Sequence, residues 1–286
     1  MSADHDEGRV GALYVVATPI GNLEDITLRA LRVLKEVDVI AAEDTRLASR
    51  LLAHHGLPTR TVSLHQHNER AMADRVLGWL AEGKKVALVT DAGTPGISDP
   101  GAIVVRAALE SGRRVVPVPG ASALAAALSV SGFSESRILF KGFLPAARAA
   151  RRKAIAELVQ EPGALVFYEA PHRVIECVSD LAELLGERSL VIARELTKMF
   201  ESIHLLRLAE AADWLAADPN RIRGEFVLVV SGAPPSSAPE DWHGLLDVLL
   251  ADLPLAQAVR LTCAATGAKR KSVYERALAR RDAGAL

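Results

Sequence analysis

The sequence predicts an α/β protein with two α/β domains and a small helical domain at the C-terminal end. Up to about residue 232, short apolar runs alternate with segments of helical periodicity, which is the pattern of sheets covered by helices. In the first 130 residues these runs are apolar on consecutive positions, as expected of a mostly parallel sheet buried on both faces. Half of the 286 residues are apolar, enough to fill two separate cores.

The predicted elements fall into four segments. Residues 1–130 form the first α/β domain, with strands at 13–17, 38–42, 61–64, 86–90 and 114–118 and helices that include 28–35 and 70–81. Residues 131–232 form the second α/β domain, with strands at 137–142, 164–168, 190–193, 204–208 and 226–230. Residues 233–240 are a Pro/Ser-rich linker. Residues 241–286 form a basic domain with helices at 242–250, 255–265 and 272–280, and a Gly turn before the third helix is typical of a helix-turn-helix.

Composition excludes several classes of protein. A net charge of −1 with 24% charged residues excludes a uniformly basic nucleic-acid coat protein, although a local basic patch remains compatible with it. Two distant cysteines and a polar, acidic first segment predict reduced thiols, no signal peptide and a cytoplasmic location. No apolar run approaches the length of a membrane helix, about 18 residues, so we expect no membrane partner.

The segment KVALVTDAGTPGISDPG, residues 85–101, is the most informative stretch. A strand leads into a Gly/Pro loop, and Asp99 and Pro100 are suited to the N-cap and first position of a following helix. The loop matches neither common nucleotide-binding motif. It contains acids but no Lys or Arg, so a ligand with hydroxyls and a positive centre suits it better than a polyphosphate. The alternative is a purely structural strand-to-helix connection.

Polar or Gly/Pro-rich segments follow all five predicted strands of the first domain, at residues 18–22, 43–46, 65–69, 91–94 and 119–122. Because the carboxyl ends of parallel strands share one edge of the sheet, these segments predict a binding site there. His65 and His67 would share one face of a strand and raise the question of zinc. No cysteine pair or HExxH motif accompanies them, so we expect hydrogen bonding and no metal.

Seven motifs, in order, resemble the tetrapyrrole methylase-like superfamily. They are TPIGNLEDIT at 18–27, AAEDTR at 41–46, TDAGTPGISDPG at 90–101, VPGASA at 118–123, GFLP at 142–145, FYEAPHR at 167–173 and ARELTK at 193–198. Within that superfamily the set is similar to the ribosomal RNA small subunit methyltransferase I group, whose members also carry a small C-terminal helical domain. The resemblance implies 2′-O-methylation of a decoding-centre cytidine, cytidine 1402, in 16S rRNA of the 30S subunit, and it suggests a homodimer.

The same resemblance implies S-adenosylmethionine as cofactor, in a cleft between the two α/β domains. Its sulfonium cation, ribose hydroxyls and adenine edge are groups that the carboxylates, carbonyls and backbone amides of the acidic loop can bind. The residues implied for binding it are Pro19, Asp91, Gly93, Thr94, Pro95, Ile97, Ser98, Ala121, Ser122, Tyr168, Glu169, Ala170 and Glu225. Methyl transfer to a ribose hydroxyl needs in-line geometry and a base. The candidates for catalysis are Glu43, Asp44, Arg46 and Lys198, with Glu69 and Glu195 as further possible bases; the first three also fit a structural ion-pair cluster.

Two basic groups are candidates for RNA binding. One comprises Arg148, Arg151, Arg152 and Lys153 on a predicted helix. The other comprises Lys269, Arg270 and Lys271 in the C-terminal domain. From residue 254 onward the sequence contains seven cationic residues and only two acidic ones. Such groups contact phosphates, and both also fit solvated helix faces. Two other functions stay open: a methyltransferase acting on a tetrapyrrole, and a DNA-binding regulator whose α/β part senses a metabolite.

Overall fold

The computed structural model describes residues 11–65, 67–234 and 242–282. The chain divides into two compact units, 1–233 and 234–286. Most of the predicted linker and the polar first ten residues lie outside the described residues.

The first sheet is parallel, as predicted. Within the described residues its strands have the order β3-β2-β4-β1-β5. They are β1 Ala12–Val16, β2 Val39–Ala42, β3 Thr61–Ser63, β4 Lys85–Val89 and β5 Arg114–Val118. The helices between them are α1 Leu28–Glu36, α2 Thr45–His54, α3 Glu69–Ala81 and α4 Ala102–Glu110, with a 3-10 turn at Leu23–Asp25.

Both faces of this sheet are covered, which explains why its strands lack polar alternation. On one face α3 and α4 bury Met72, Val76 and Val104 against the sheet. On the other, α1 and α2 bury Leu34 and Leu52. With both faces occupied, the exposed carboxyl edge is where polar groups gather.

The second sheet is mixed, with the order β6-β7-β10-β8-β9 in the described part of the chain. β6 and β7 are parallel and the other pairs antiparallel. Its strands are β6 Ile138–Phe143, β7 Ala164–Glu169, β8 Ser189–Arg194, β9 Ser202–Arg207 and β10 Phe226–Val230. The helices of this part are α5 Ala123–Ser129, α6 Arg148–Ala156, α7 Val174–Leu185 and α8 Leu208–Ala216.

Helix α5 packs on the second sheet, although the sequence analysis assigned it to the first domain. Its buried Ala127 lies in one cluster with Val166 and Val229 of that sheet. The short side chains of α5 let its backbone approach the strands closely. The chain therefore passes to the second sheet directly after β5.

The C-terminal unit is a three-helix cluster with its own core, described here by itself. Its helices are α9 Trp242–Asp252, α10 Leu255–Thr266 and α11 Arg270–Asp282. Trp242, Leu246, Val259 and Val273 contribute to its buried core. Gly267 ends α10 in the left-handed conformation, with φ of 71°, so the predicted turn before the third helix is present. Across the described residues, no helix combines the length and apolarity that a membrane span requires.

Candidate active site

The loops after β1 and β4 are hydrogen-bonded to each other at the carboxyl edge of the first sheet. Thr18 and Gly93 exchange two backbone hydrogen bonds, of 2.9 and 3.0 Å. The Thr18 hydroxyl also donates to the carbonyl oxygen of Thr90, at 3.1 Å. The Gly-rich loop predicted to hold the ligand is thus anchored at its beginning.

The end of this loop is held by a residue that the sequence analysis gave a different role. The prediction that Asp99 and Pro100 start the helix is wrong: α4 begins at Ala102, after Gly101 in a left-handed conformation with φ of 130°. The free amides of Gly101 and Ile103 both donate to Glu69 Oε1, at 2.8 Å each. The buried carboxylate of Glu69 on α3 therefore caps α4. Asp99 does not cap the helix and instead lines the cleft described next.

A cleft of about 560 Å³ opens between this edge and the second sheet. That volume is in the usual range for small-molecule sites. Predicted residues that line it are Glu43, Asp91, Gly93, Ile97, Ser98, Tyr168, Glu169, Ala170 and Glu225. Ile20 and Phe226, which adjoin the predicted Pro19 and Glu225, also line it. Further lining residues were not predicted from the sequence, namely Ala92, Asp99, Ala123, Phe143, Pro171, His172, Ala193, Leu196 and Val227. Most of these lie within the quoted motifs, and whether their side chains line the cleft depends on how the two sheets face each other.

The remaining predicted cofactor residues lie outside the lining of this cleft. Thr94 donates its hydroxyl to the carbonyl oxygen of Ala121 at 3.2 Å, so this pair ties two loops together. Ser122 stands at the N-cap of α5. Pro19 lines a separate, neighbouring cavity. Pro95 is likewise not among the residues that line the cleft.

Negative charge dominates the cleft. Among the described lining residues there are five carboxylates and no Lys or Arg. Asp91 links the acids of two loops: its amide donates to Glu43 Oε2 at 3.4 Å, and its own Oδ1 accepts from the Asp44 amide at 2.9 Å. Burial, and then the neighbouring charge of Glu43, raises the pKa of Asp99 to about 6. This arrangement favours a cationic ligand with hydroxyl groups.

The four candidates for catalysis differ in what their side chains contact. Glu43 lines the cleft, and burial, together with the charges of Asp91 and Asp44, raises the pKa of its carboxyl group. Asp44 instead caps α2 and pairs with Arg46 at 2.6 Å. Hydrogen bonds from Arg46 lower the pKa of Asp44 to about 2, so it is a weak base.

Lys198 is not among the residues that line the cleft, but it contacts two carboxylates, of which Glu225 lines it. Its ammonium donates to Glu195 Oε1 at 2.9 Å and to Glu225 Oε2 at 3.0 Å. Burial by itself lowers the pKa of Lys198, but these two acids more than offset it and the pKa is raised. The raised pKa favours the protonated form of Lys198, which is unsuited to accepting a proton. Of the four candidates, Glu43 is the one among the described residues that line the cleft.

The second wall of the cleft comes from the FYEAPHR and ARELTK motifs. The Tyr168 hydroxyl accepts a hydrogen bond from the Leu124 amide at the start of α5, at 3.1 Å, and its ring packs edge-on against Phe143. Gly21 of the first motif permits close approach of the ARELTK loop, since a Cβ there would lie 2.5 Å from Lys198 Cγ. The matched motifs of the two halves are therefore in contact.

One of the RNA contacts predicted for the basic helix α6 is wrong. Arg151 was predicted to bind RNA, but its side chain is buried, with 0% exposure, and its Nε donates to Asp180 Oδ2 at 2.8 Å. A buried guanidinium cannot reach a phosphate. Arg148 and Arg152 also donate to Asp180, at 3.1 and 3.2 Å, whereas Lys153 is exposed.

Lys269, Arg270 and Lys271 are exposed in the C-terminal unit. They lie directly after the Gly267 turn, at the beginning of α11. In helix-turn-helix proteins, residues at the beginning of the second helix of the motif reach the nucleic acid. Their position is compatible with the predicted RNA contacts.

The predicted histidine pair does not lie on a strand, because β3 ends at Ser63. The ring centroids of His65 and His67 are 6.0 Å apart. In the part of the chain that the structure describes, no cluster of three or more His, Cys, Asp or Glu side chains is arranged to hold a metal ion.

Comparison with family models decides the family. Residues 12–212 match the model described as Tetrapyrrole (Corrin/Porphyrin) Methylases. The chain belongs to this family. Residues 236–281 match a second model, described as RsmI C-terminal HTH domain. Family membership confirms the predicted two-sheet fold, the methyltransferase class and S-adenosylmethionine as the methyl donor.

Relatives place the chain in one group of this family. It is 50% identical to "Ribosomal RNA small subunit methyltransferase I" of Pseudomonas aeruginosa, over 94% of this chain and 98% of that protein. It is 47% identical to the protein of the same name from Escherichia coli O157:H7, over 97% of each chain. The predicted resemblance to this group is confirmed.

Solved structures agree on the fold. One is uroporphyrin-III C-methyl transferase from Thermus thermophilus complexed with S-adenyl homocysteine, with a TM-score of 0.53 and 22% identity over 77% of this chain and 97% of that one. Another is cobalt precorrin-4 methyltransferase, with a TM-score of 0.57 and 18% identity over 77% of this chain and 94% of that one. About a quarter of this chain therefore has no counterpart in either enzyme.

Proposed function

We propose that this protein transfers a methyl group from S-adenosylmethionine to the ribose 2′-hydroxyl of cytidine 1402 in 16S rRNA, within the 30S subunit. The observation that carries the proposal is the helix-turn-helix unit with its exposed basic residues 269–271. The relatives named as rRNA methyltransferases match almost the full chain. The two tetrapyrrole-modifying enzymes match only 77% of it.

The residues of the cleft fit the cofactor. Five carboxylates line the cleft; Lys198 pairs with Glu225 and Arg173 with Glu169. The other three suit a sulfonium cation, and Asp91 and Asp99 on the Gly-rich loop are placed to attract it. Gly93, with φ of 79°, keeps the loop free of a side chain where the ligand approaches. Tyr168 and Phe143 offer aromatic surface to the adenosine. When bound, the cofactor supplies an activated methyl group attached to a positively charged sulfur.

The protein's own residues then have to orient the ribose and take its proton. Glu43 stands at the carboxyl edge of the sheet, where its raised pKa makes its carboxylate a better base than an ordinary glutamate. A general base contributes roughly 10²–10⁴-fold to rate. We expect Glu43→Gln to lower turnover within that range and to leave cofactor affinity within about threefold of wild type. Asp44→Asn, which alters a neighbouring acid paired to Arg46, is the matched control. Wild-type turnover in Glu43→Gln would remove Glu43 from the mechanism.

A panel of acceptors tests the proposed function. The full-length protein is incubated with methyl-labelled S-adenosylmethionine and, in separate reactions, with unmethylated 30S subunits, free 16S rRNA, a tetrapyrrole precursor or duplex DNA. We expect label in 30S subunits. Label in the tetrapyrrole would favour the runner-up enzyme class. Tight sequence-specific DNA binding without methyl transfer would favour a regulator.

The proposal includes a homodimer located in the cytoplasm, where 30S subunits are assembled. Support for a dimer comes from apolar side chains beside the edge strand β9: Met199 is 90% exposed, Phe200 68% and Leu205 65%. β9 pairs with β8 on one side only in the described sheet. Light scattering should give a dimer for the wild type and a monomer for Leu205→Glu. A wild-type monomer at micromolar concentration would contradict this part.

A further inference from the structure

A second cavity, of about 320 Å³, adjoins the cofactor cleft at the carboxyl edge of the first sheet. We infer that it binds the cytosine base of the target nucleotide. This inference rests on the proposed function and names the part of the protein that would select the base.

The cavity has the walls that a flat base requires. Its interior is formed by the buried side chains of Leu34, Ile40, Leu52 and Val89, from α1, the sheet and α2. Leu23 and Leu47, about 40% exposed, also line it. Enzymes that do chemistry on a base commonly extrude it into a pocket lined by aromatic or apolar side chains, and the same arrangement would hold the base while the ribose is methylated. The volume, near the lower end of the usual range for ligand sites, suits a single-ring base better than a four-ring macrocycle.

Two polar groups of the cavity match the edge of cytosine. Cytosine presents one exocyclic amino donor, and a carboxylate is the side chain that characteristically accepts from it. Asp91 is the only acid among the described residues that line the cavity. One of its oxygens already accepts from the Asp44 amide, which fixes the carboxylate and leaves the other oxygen for a ligand. Arg50 also lines the cavity and can donate to the ring nitrogen or carbonyl oxygen of the base.

Position supports the same occupant. Asp91 lines both the cavity and the cofactor cleft. The paired backbone of Thr18 and Gly93 stands beside it, Thr18 lining the cavity and Gly93 the cleft. A nucleotide with its base in the cavity would therefore hold its ribose close to Asp91 and Glu43, next to the methyl donor. This juxtaposition is what in-line transfer to a 2′-hydroxyl needs.

Filling the cavity tests the inference. Ala48 on α2 lines it, whereas Ala53 on the same helix is exposed and does not. Full-length Ala48→Phe and its control Ala53→Phe are compared by kcat/KM for unmethylated 30S subunits and by cofactor affinity in calorimetry. We expect Ala48→Phe to lower kcat/KM at least 100-fold, with cofactor affinity within twofold of wild type and Ala53→Phe unchanged. A loss of less than tenfold in kcat/KM would overturn the inference. A tenfold loss of cofactor affinity in Ala48→Phe would also overturn it, since the cavity would then belong to the cofactor.

A second variant keeps the test valid if Ala48→Phe does not fold. Asp91→Asn retains an oxygen for the Asp44 amide but adds a donor that can face the carbonyl of uracil. A correct base contact is worth about 1–3 kcal/mol, so we expect the wild type to prefer 30S subunits with cytidine over uridine at the target by roughly 10- to 100-fold. Asp91→Asn should reduce that preference at least tenfold. An unchanged preference would overturn the inference. If the wild type itself transfers no methyl group to 30S subunits, the proposed function fails instead.

Discussion

Glu69 fixes the end of the cofactor loop, and its removal should loosen the loop and the fold together. The carboxylate is only 6% exposed and accepts from two amides at 2.8 Å. A hydrogen bond to a charged group contributes about 1.5–3 kcal/mol to stability. Because two such bonds share one oxygen and are not additive, we expect Glu69→Ala to lower the free energy of unfolding by about 3 kcal/mol.

Glu69→Gln separates the charge from the hydrogen bonds. Its amide oxygen can still accept from Gly101 and Ile103, but a neutral bond is roughly half as strong as a charge-assisted one. The loss should then be about 1.5 kcal/mol. At roughly 2–4 °C per kcal/mol for a unit of this size, Glu69→Ala should lower the Tm by about 6–12 °C and Glu69→Gln by about half as much.

The same substitutions should weaken cofactor binding. Six residues of the loop line the cleft, namely Asp91, Ala92, Gly93, Ile97, Ser98 and Asp99, so a disordered loop must be ordered again when the ligand binds. A cost of about 3 kcal/mol limits the loss of affinity to roughly 100-fold, and we expect at least tenfold for Glu69→Ala. Calorimetry with S-adenosylmethionine measures the affinity, and Asp74→Ala, an exposed acid on the same helix, is the control. A Glu69→Ala protein with wild-type Tm and wild-type affinity would refute the capping role.

Three further predictions follow from charges. Burial raises the pKa of Asp99 to about 6, and the charged form of Asp99 attracts the sulfonium. S-adenosylmethionine affinity should therefore fall as the pH drops below 6, whereas S-adenosylhomocysteine, which lacks the sulfonium charge, should show a smaller change in calorimetry; equal pH profiles would contradict this. Arg151→Met leaves a buried Asp180 short of a partner and should cost about 3 kcal/mol in urea unfolding, and Lys153→Met is the exposed control; equal midpoints would contradict it. Charge reversal of residues 269–271 to Glu should raise the KM for 30S subunits and flatten its salt dependence, because each phosphate contact contributes a salt-dependent term; an unchanged salt slope would contradict RNA capture by this segment.

The Asp180 interaction also has a predictable pH dependence. Burial alone raises the pKa of Asp180, but hydrogen bonds from Arg151, Arg148 and Arg152 lower it by more, so the net shift is downward. A lowered pKa in the folded state stabilises the protein above the unfolded value, near pH 4, and this stabilisation is lost as the pH falls through the folded value. The difference in stability between wild type and Arg151→Met should therefore shrink below pH 4. A constant difference from pH 7 to pH 3 would contradict this account.

Much of the fold could be predicted from the sequence because its strands and helices follow from local patterns of apolar and glycine residues. All ten predicted strands overlap observed ones, since buried strands and their glycine-rich ends are recognisable over a few residues. The mixed strand order of the second sheet was not predicted, because pairing β10 between β7 and β8 depends on contacts between segments far apart in the chain.

The errors at the site have the same physical origin. Asp99 fits a helix start by its position, but Glu69, 32 residues before Gly101, takes the free amides. Arg151 fits a basic surface, but Asp180, 29 residues later, draws it into the interior. Motif positions predicted which loops form the cleft. Which side chains face it depends on the second sheet, and residues such as Phe143 and Leu196 were found only in the structure.

The central claim is tested most directly by locating the methyl group. Unmethylated 30S subunits are incubated with the full-length protein and labelled S-adenosylmethionine, and the 16S rRNA is digested and analysed by mass spectrometry. We expect one labelled nucleoside, 2′-O-methylcytidine, at cytidine 1402, and its loss with Glu43→Gln. A methyl group on a base, at another nucleotide, or absent from the RNA would contradict the account.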